Sequence, residues 1–114
     1  MSGHEWIEDF PVSATVCDAE GLIVEMNRKS REVFAADGGA ALLGKNVLDC
    51  HPEPSRTTLA GLMDERRTNV YTIKKNGRKK LIYQSPWFEQ GRYAGIVELS
   101  LELPADVPHF VREG

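Results

Sequence analysis

The period of the apolar positions changes several times along the chain, and the changes mark its elements. Trp6, Ile7 and Phe10 are spaced one, three and four apart, so they share one face of a short helix over His4 to Phe10, which Pro11 ends. Ala14-Thr15-Val16-Cys17 is a β-prone run, Asp18-Ala19-Glu20-Gly21 a turn and Leu22 to Met26 a return strand, together a hairpin. Asn27 fits an N-cap for the helix RKSREVFA, which puts Val33 and Phe34 on one side. Asp37-Gly38-Gly39 breaks that helix, and Ala40 to Leu43 predicts one more turn before Gly44.

Ser55 to Asn69 predicts the longest helix, with Leu59, Leu62 and Met63 as its apolar stripe and Asp64 to Arg67 as its wet side. Val70 to Lys75 and Lys79 to Trp87 read as strands joined by Asn76-Gly77, a strong hairpin signal. Glu89 to Arg92 is a turn, and Tyr93 to Leu103 the last strand. The order predicts an α+β fold: a five-stranded antiparallel sheet with helices packed on one face and an N-terminal flanking helix. Period-two alternation, with the more apolar set turned toward the helices, puts Tyr71, Ile73, Leu81, Tyr83, Ser85, Trp87, Val97, Leu99 and Leu101 on the inner face. Ile82, Ile96 and Glu98 then fall outside, with the Trp6/Phe10 helix as the expected cover.

Between the two halves lies Leu43 to Thr58, LLGKNVLDCHPEPSRT, which holds Cys50 and His51 side by side. Pro52 and Pro54 exclude regular helix or sheet through this segment, and Ser55 supplies an oxygen able to cap the helix that follows. Chemistry-bearing side chains on a stiffened loop are candidates for function. The plainer roles are a loop histidine bonded to backbone and a buried, unreactive cysteine.

Composition narrows the classes. At 114 residues, with 41% hydrophobic and 27% charged residues, the chain is one ordinary globular domain. A net charge of −3 argues against a nucleic-acid partner, and the lysines and arginine around Asn76-Gly77 read as a solvated hairpin tip. No apolar run approaches the roughly 20 residues that span a bilayer, and the N-terminus lacks a signal-peptide pattern, so a cytoplasmic, non-membrane protein is expected. Cys17 and Cys50 are then expected as free thiols. No Ser-His-Asp arrangement, catalytic carboxylate pair, glycine-rich phosphate loop or metal-ligand spacing is present. Adjacent Cys50 and His51 point in opposite directions in an extended segment, so neither a nucleophile with its base nor a metal pair follows from them. The expectation is a protein without catalytic or metal function.

The hairpin "DAEGLIVEMN", Asn27 opening a helix, "LLGKNVLD" before a long helix and the closing strand "YAGIVELSLEL" together resemble a PAS domain, from about Phe10 to Glu102. Cys50-His51-Pro52, with Tyr83 and Gly95-Ile96-Val97-Glu98, looks most like a bacterial subgroup carrying a Cys-His-Pro motif. The resemblance implies a PAS domain over residues 12–103, an N-terminal helix over 1–11 that caps or dimerises, and a tail over 104–114. It implies a sensory module with a small ligand between the central helices and the sheet, a homodimer, and a separate signalling output protein. The alternative within the family is a ligand-free interaction module. Val16, Phe34, Val47, Leu59, Met63, Tyr71, Tyr83, Trp87 and Val97 would line the ligand space, with Cys50 and His51 at its mouth. Trp6, Ile7, Phe10, Ile82 and Ile96 would form the dimer interface. The flavin photosensor pattern, with cysteine directly after the asparagine, is not matched: Val47 follows Asn46, and Val97 stands where the flavin-facing glutamine would be. No histidine lies between Ser55 and Asn69, where haem-binding relatives place theirs, which leaves His51 or Cys50 as the haem ligand if haem is bound.

Overall fold

Asn76 and Gly77 both take positive φ, 53° and 77°, as the tight turn between two right-twisted strands requires. They join β3 (Asn69–Lys75) to β4 (Arg78–Glu89), and β5 (Arg92–Glu102) follows. The computed structural model describes residues 5–114, so the helix start expected at His4 lies outside the described residues. Ahead of β3 come α1 (Glu5–Glu8), β1 (Ser13–Asp18), β2 (Ile23–Met26) and α2 (Arg28–Val33). Three 3-10 turns (Ala35–Asp37, Gly39–Leu42, Val47–Cys50) and α3 (Ser55–Glu65) complete the order. The sheet is five-stranded and antiparallel, in the order β2-β1-β5-β4-β3. The fold class is the expected α+β arrangement.

Asn27 is the junction of the N-terminal half. Its Oδ1 accepts from the Ser30 amide, capping α2, and from the Ala14 amide on β1, each at 3.0 Å. Its Nδ2 donates to the carbonyls of Ile7 (2.9 Å) and Val12 (2.7 Å). Arg31 clasps Glu8 through two bonds, at 3.1 and 2.6 Å, and donates to the Met26 carbonyl at 2.7 Å. These bonds fix α1 beside α2. Trp6 stays 68% exposed and Phe10 44%, so their rings do not form the buried cover expected over the sheet.

The faces of β4 and β5 are the reverse of those expected. Residues opposite one another on neighbouring strands share a face, and Ile96 stands opposite Cys17 while Gln84 and Thr15 both stand opposite Glu98. Cys17 belongs to the buried core with Ile23, Met26 and Leu42, against which Phe34 and Val47 pack. The helix-covered face therefore carries Ile82, Gln84, Ile96 and Glu98. Val16, Leu81, Tyr83, Val97, Leu99 and Leu101 point the other way. Tyr71 does lie on the inner side, opposite Ile82. Assigning the more apolar alternation to the core fails here because the outer face of β4 and β5 is the more apolar of the two.

Trp87 stands opposite Gly95, and its indole N–H reaches across β5 to the Cys17 carbonyl on β1 at 3.0 Å. A Cβ on Gly95, whose φ is 142°, would collide with that same carbonyl. Trp87 thus ties three strands together rather than lining a ligand space.

Candidate functional site

Residues 44–47 run along the edge of β2 and set one wall of a cavity. Gly44 N–H donates to the Ile23 carbonyl (2.7 Å), Ile23 N–H to that of Lys45 (2.9 Å), and Val47 N–H to that of Gly21 (2.7 Å). Asn46 Oδ1 accepts from the Leu48 amide at 2.9 Å and so opens the Val47–Cys50 turn. The expected cap from Ser55 is absent: Pro54 holds the cap position of α3 with no side-chain bond. Glu53 takes over, its Oε1 accepting from the hydroxyl (2.7 Å) and amide (3.0 Å) of Thr57, and these two bonds hold its carboxyl below the usual range.

Between this wall, α3 and the sheet lies a cavity of about 440 Å³, within the roughly 300–1,000 Å³ typical of small-molecule sites. Its apolar lining is Ile23, Met26, Phe34, Leu42, Val47, Leu59 and Ile96. Thr15, Gln84 and Glu98 bring polar groups from the sheet, and Asp37, Lys45 and Asp49 bring charge from the other side. Cys50, exposed, and His51, half-buried, also line it.

Five of the residues expected around a ligand space therefore meet here: Phe34, Val47, Cys50, His51 and Leu59. Val16, Tyr83, Trp87 and Val97 do not, because they point out of the opposite sheet face. Met63 lines a separate shallow depression with Arg66 and Tyr93, and Tyr71 is solvent-exposed outside the cavity lining. Ile82 and Ile96, expected at a dimer interface, are buried on the inner face. The sheet's polar contribution was missed, although Gln84 and Glu98 each interrupt an apolar run at one position in two.

His51 Nδ1 lies 2.7 Å from the Val47 carbonyl. A carbonyl only accepts, so Nδ1 carries the proton and Nε2 of the neutral ring is left as an acceptor. Cys50 donates a weak bond from Sγ to the Asn46 carbonyl at 3.6 Å. Cys17 is different: burial first, then the charges of Glu98, Asp18 and Cys50, push its thiol up to about 12. It is a protonated core side chain at neutral pH. Both thiols are free.

Haem propionates or a flavin phosphate would bring negative charge to a lining with Asp37, Asp49 and Glu98 against Lys45. His51 and Cys50 are competent iron ligands, but this charge balance does not suit either cofactor. Among the described residues no three or more His, Cys, Asp or Glu side chains converge as a metal cluster. No helix among them is long and apolar enough to cross a membrane.

A five-stranded antiparallel sheet of order 2-1-5-4-3, with short helices enclosing a cavity on one face, is the PAS fold, and comparison with solved structures agrees. A C-terminal domain from Streptococcus mutans superposes with a TM-score of 0.69 at 16% identity, covering 84% of this chain and 78% of that one. The PAS domain of BvgS from Bordetella pertussis gives 0.63 at 22% identity, covering 86% and 81%. The Aer2 receptor of Vibrio cholerae, described as a dual PAS-haem oxygen sensor, gives 0.61 at 16%, covering 82% and 95%. No protein-family model matches the sequence, and comparison with curated proteins gives no match.

Proposed function

We propose that this chain is a sensory signalling module that binds a small molecule between its central helices and its sheet. The observation that carries the reading is the cavity of about 440 Å³, whose wall is apolar apart from a few convergent polar groups. The structural neighbours that are described as a PAS-haem oxygen-sensing receptor, a sensor histidine kinase and the PAS domain of a histidine kinase support the same role. Cys50 and His51 line the cavity just ahead of α3, where occupancy would be felt by the turn leading into that helix. A thermal-shift screen against a small-molecule panel tests this, with Val47→Phe as a cavity-blocking control. At least one chemical class should raise Tm in the native chain and not in the variant. A panel that moves neither protein overturns the proposal.

A second reading, self-association, is favoured by the outer sheet face. Val97, Leu99, Leu101 and Leu81 form an apolar stripe there, continued by Tyr83 (39% exposed) and Val70 (49%). The N-terminal Trp6 and Phe10 add apolar surface. Sedimentation at increasing concentration should show a dimer that Leu99→Glu abolishes. A native chain that stays monomeric throughout removes this reading.

A further inference from the structure

The inner sheet face carries a row of polar side chains that runs across three strands and ends at the cavity. Asn69 Nδ2 on β3 donates to Gln84 Oε1 on β4 at 3.2 Å, and Gln84 Nε2 donates to Glu98 Oε2 on β5 at 2.8 Å. The direction of the row is fixed by chemistry. An ionised carboxylate only accepts, so Gln84 must turn its amino group to Glu98 and its oxygen to Asn69.

Glu98 is the acceptor end of this row, on the cavity wall beside Ile96, Leu59 and Met26. A carboxylate has about four lone-pair sites, and among the described residues Gln84 is its one hydrogen-bond partner. No ion pair among the described residues reaches it. Gln84, only 6% exposed, keeps a second amide N–H with no partner among the described residues. Its row thus presents unspent hydrogen-bonding capacity to the cavity beside the apolar Ile23, Met26, Leu59 and Ile96. Of the remaining charge on the lining, Asp37 and Lys45 offset one another and Asp49 pairs with Arg56 at 3.5 Å, so Glu98 carries the excess negative charge.

We infer that the cavity takes a small molecule with an apolar body and a positively charged nitrogen, the nitrogen seated on Glu98. This rests on the ligand-binding reading above and adds the chemical class. The apolar body lies against Ile23, Met26, Leu59 and Ile96, and the ammonium or amidinium donates to the free lone pairs of Glu98. Charge complementarity then excludes carboxylates and phosphates of the same size.

Three near-isosteric probes separate this inference from the reading it rests on. The native chain is titrated with phenethylamine, 2-phenylethanol and phenylacetate while the methyl resonances of Ile96, Leu59 and Met26 are followed by NMR. Phenethylamine should shift them with a Kd roughly tenfold or more below that of 2-phenylethanol, the scale of one charge-assisted hydrogen bond. Glu98→Gln, which keeps an acceptor for Gln84 and removes the charge, should erase that preference, bringing the two dissociation constants together. If 2-phenylethanol or phenylacetate binds the native chain as tightly as phenethylamine, the cationic class is wrong while the cavity reading stands. If none of the three shifts these methyls at millimolar concentration, both fall. The comparison within the native chain decides the matter even if the variant does not fold.

Discussion

Asn27 offers the sharpest test of how the N-terminal half is held together. It is 3% exposed and makes four bonds of 3.0 Å or shorter, to Ser30, Ala14, Ile7 and Val12, with a longer fifth to Phe10 at 3.4 Å. Asn27→Ala removes the cap of α2, which is worth about 1 kcal/mol. It also strands the Ala14 amide and the Val12 carbonyl, at about 1 kcal/mol or more for each, while the Ile7 carbonyl keeps the Phe10 amide at 3.2 Å. The sum is roughly 3–5 kcal/mol. Against a total of roughly 6–17 kcal/mol for a chain of this length, that is a large fraction, and Tm should fall by about 12–20 °C. Urea unfolding followed by circular dichroism gives the difference directly, provided the slope with denaturant is unchanged. Asn27→Asp keeps the acceptor and loses the three donated bonds, placing a carboxylate against carbonyl oxygens, so it should be no more stable than the alanine variant. A loss of about 1 kcal/mol or less for Asn27→Ala, or native stability for Asn27→Asp, would mean that Asn27 is only a helix cap.

Three further outcomes follow from the packing. Gly95→Ala forces a Cβ into the Cys17 carbonyl at a backbone φ that favours glycine, and should destabilise by about 2 kcal/mol or more in the same urea assay. A thiol reagent at pH 8 should label Cys50 in the native chain and reach Cys17 only on unfolding, since a thiol pushed up to about 12 leaves about one part in ten thousand as thiolate. The Arg31 hydrogen bonds hold the Glu8 carboxyl below its ordinary value of 4.5. Because that folded-state value is depressed, its contribution is complete above 4.5 and disappears as pH falls through the lower, folded value. Amide resonances of residues 5–10 should therefore shift with a midpoint below 4.5, and Arg31→Gln should move that midpoint up.

The parts of the fold that were legible in the sequence are those fixed by local chemistry. Asn76-Gly77 sets its turn because Gly77 and an asparagine tolerate positive φ, and Asn27 caps α2 because its oxygen is three residues from Ser30 N–H. What was not legible depends on partners distant in the chain. The long helix stops at Glu65, short of the expected Asn69, because Arg66 turns left-handed (φ 53°, ψ 46°) and the next strand claims Asn69. The Asn69-Gln84-Glu98 row joins residues far apart in sequence and has no period of its own. The reversal of β4 and β5 has the same origin: alternation locates two faces, and hydrophobicity chooses between them only when one face alone is buried.

That reversal bears on how a cavity event would reach the rest of the molecule. β5 is the central strand, and its neighbouring positions serve opposite faces: Ile96 and Glu98 look into the cavity, Val97 and Leu99 onto the outer apolar stripe. A ligand bound at Glu98 as proposed would act on the same strand that carries the stripe, one residue from Val97 and Leu99. A second route leaves the same cavity through Met26, whose carbonyl accepts from Arg31, which in turn holds Glu8 on α1. The second route runs through discrete hydrogen bonds, so Arg31→Gln cuts it and leaves the cavity wall in place, whereas Glu98→Gln acts upstream of both routes. If ligand occupancy alters self-association, Arg31→Gln should spare that coupling where the stripe carries it and abolish it where α1 does. Arg31→Gln therefore distinguishes the sheet from the helix as the element that both sites bias.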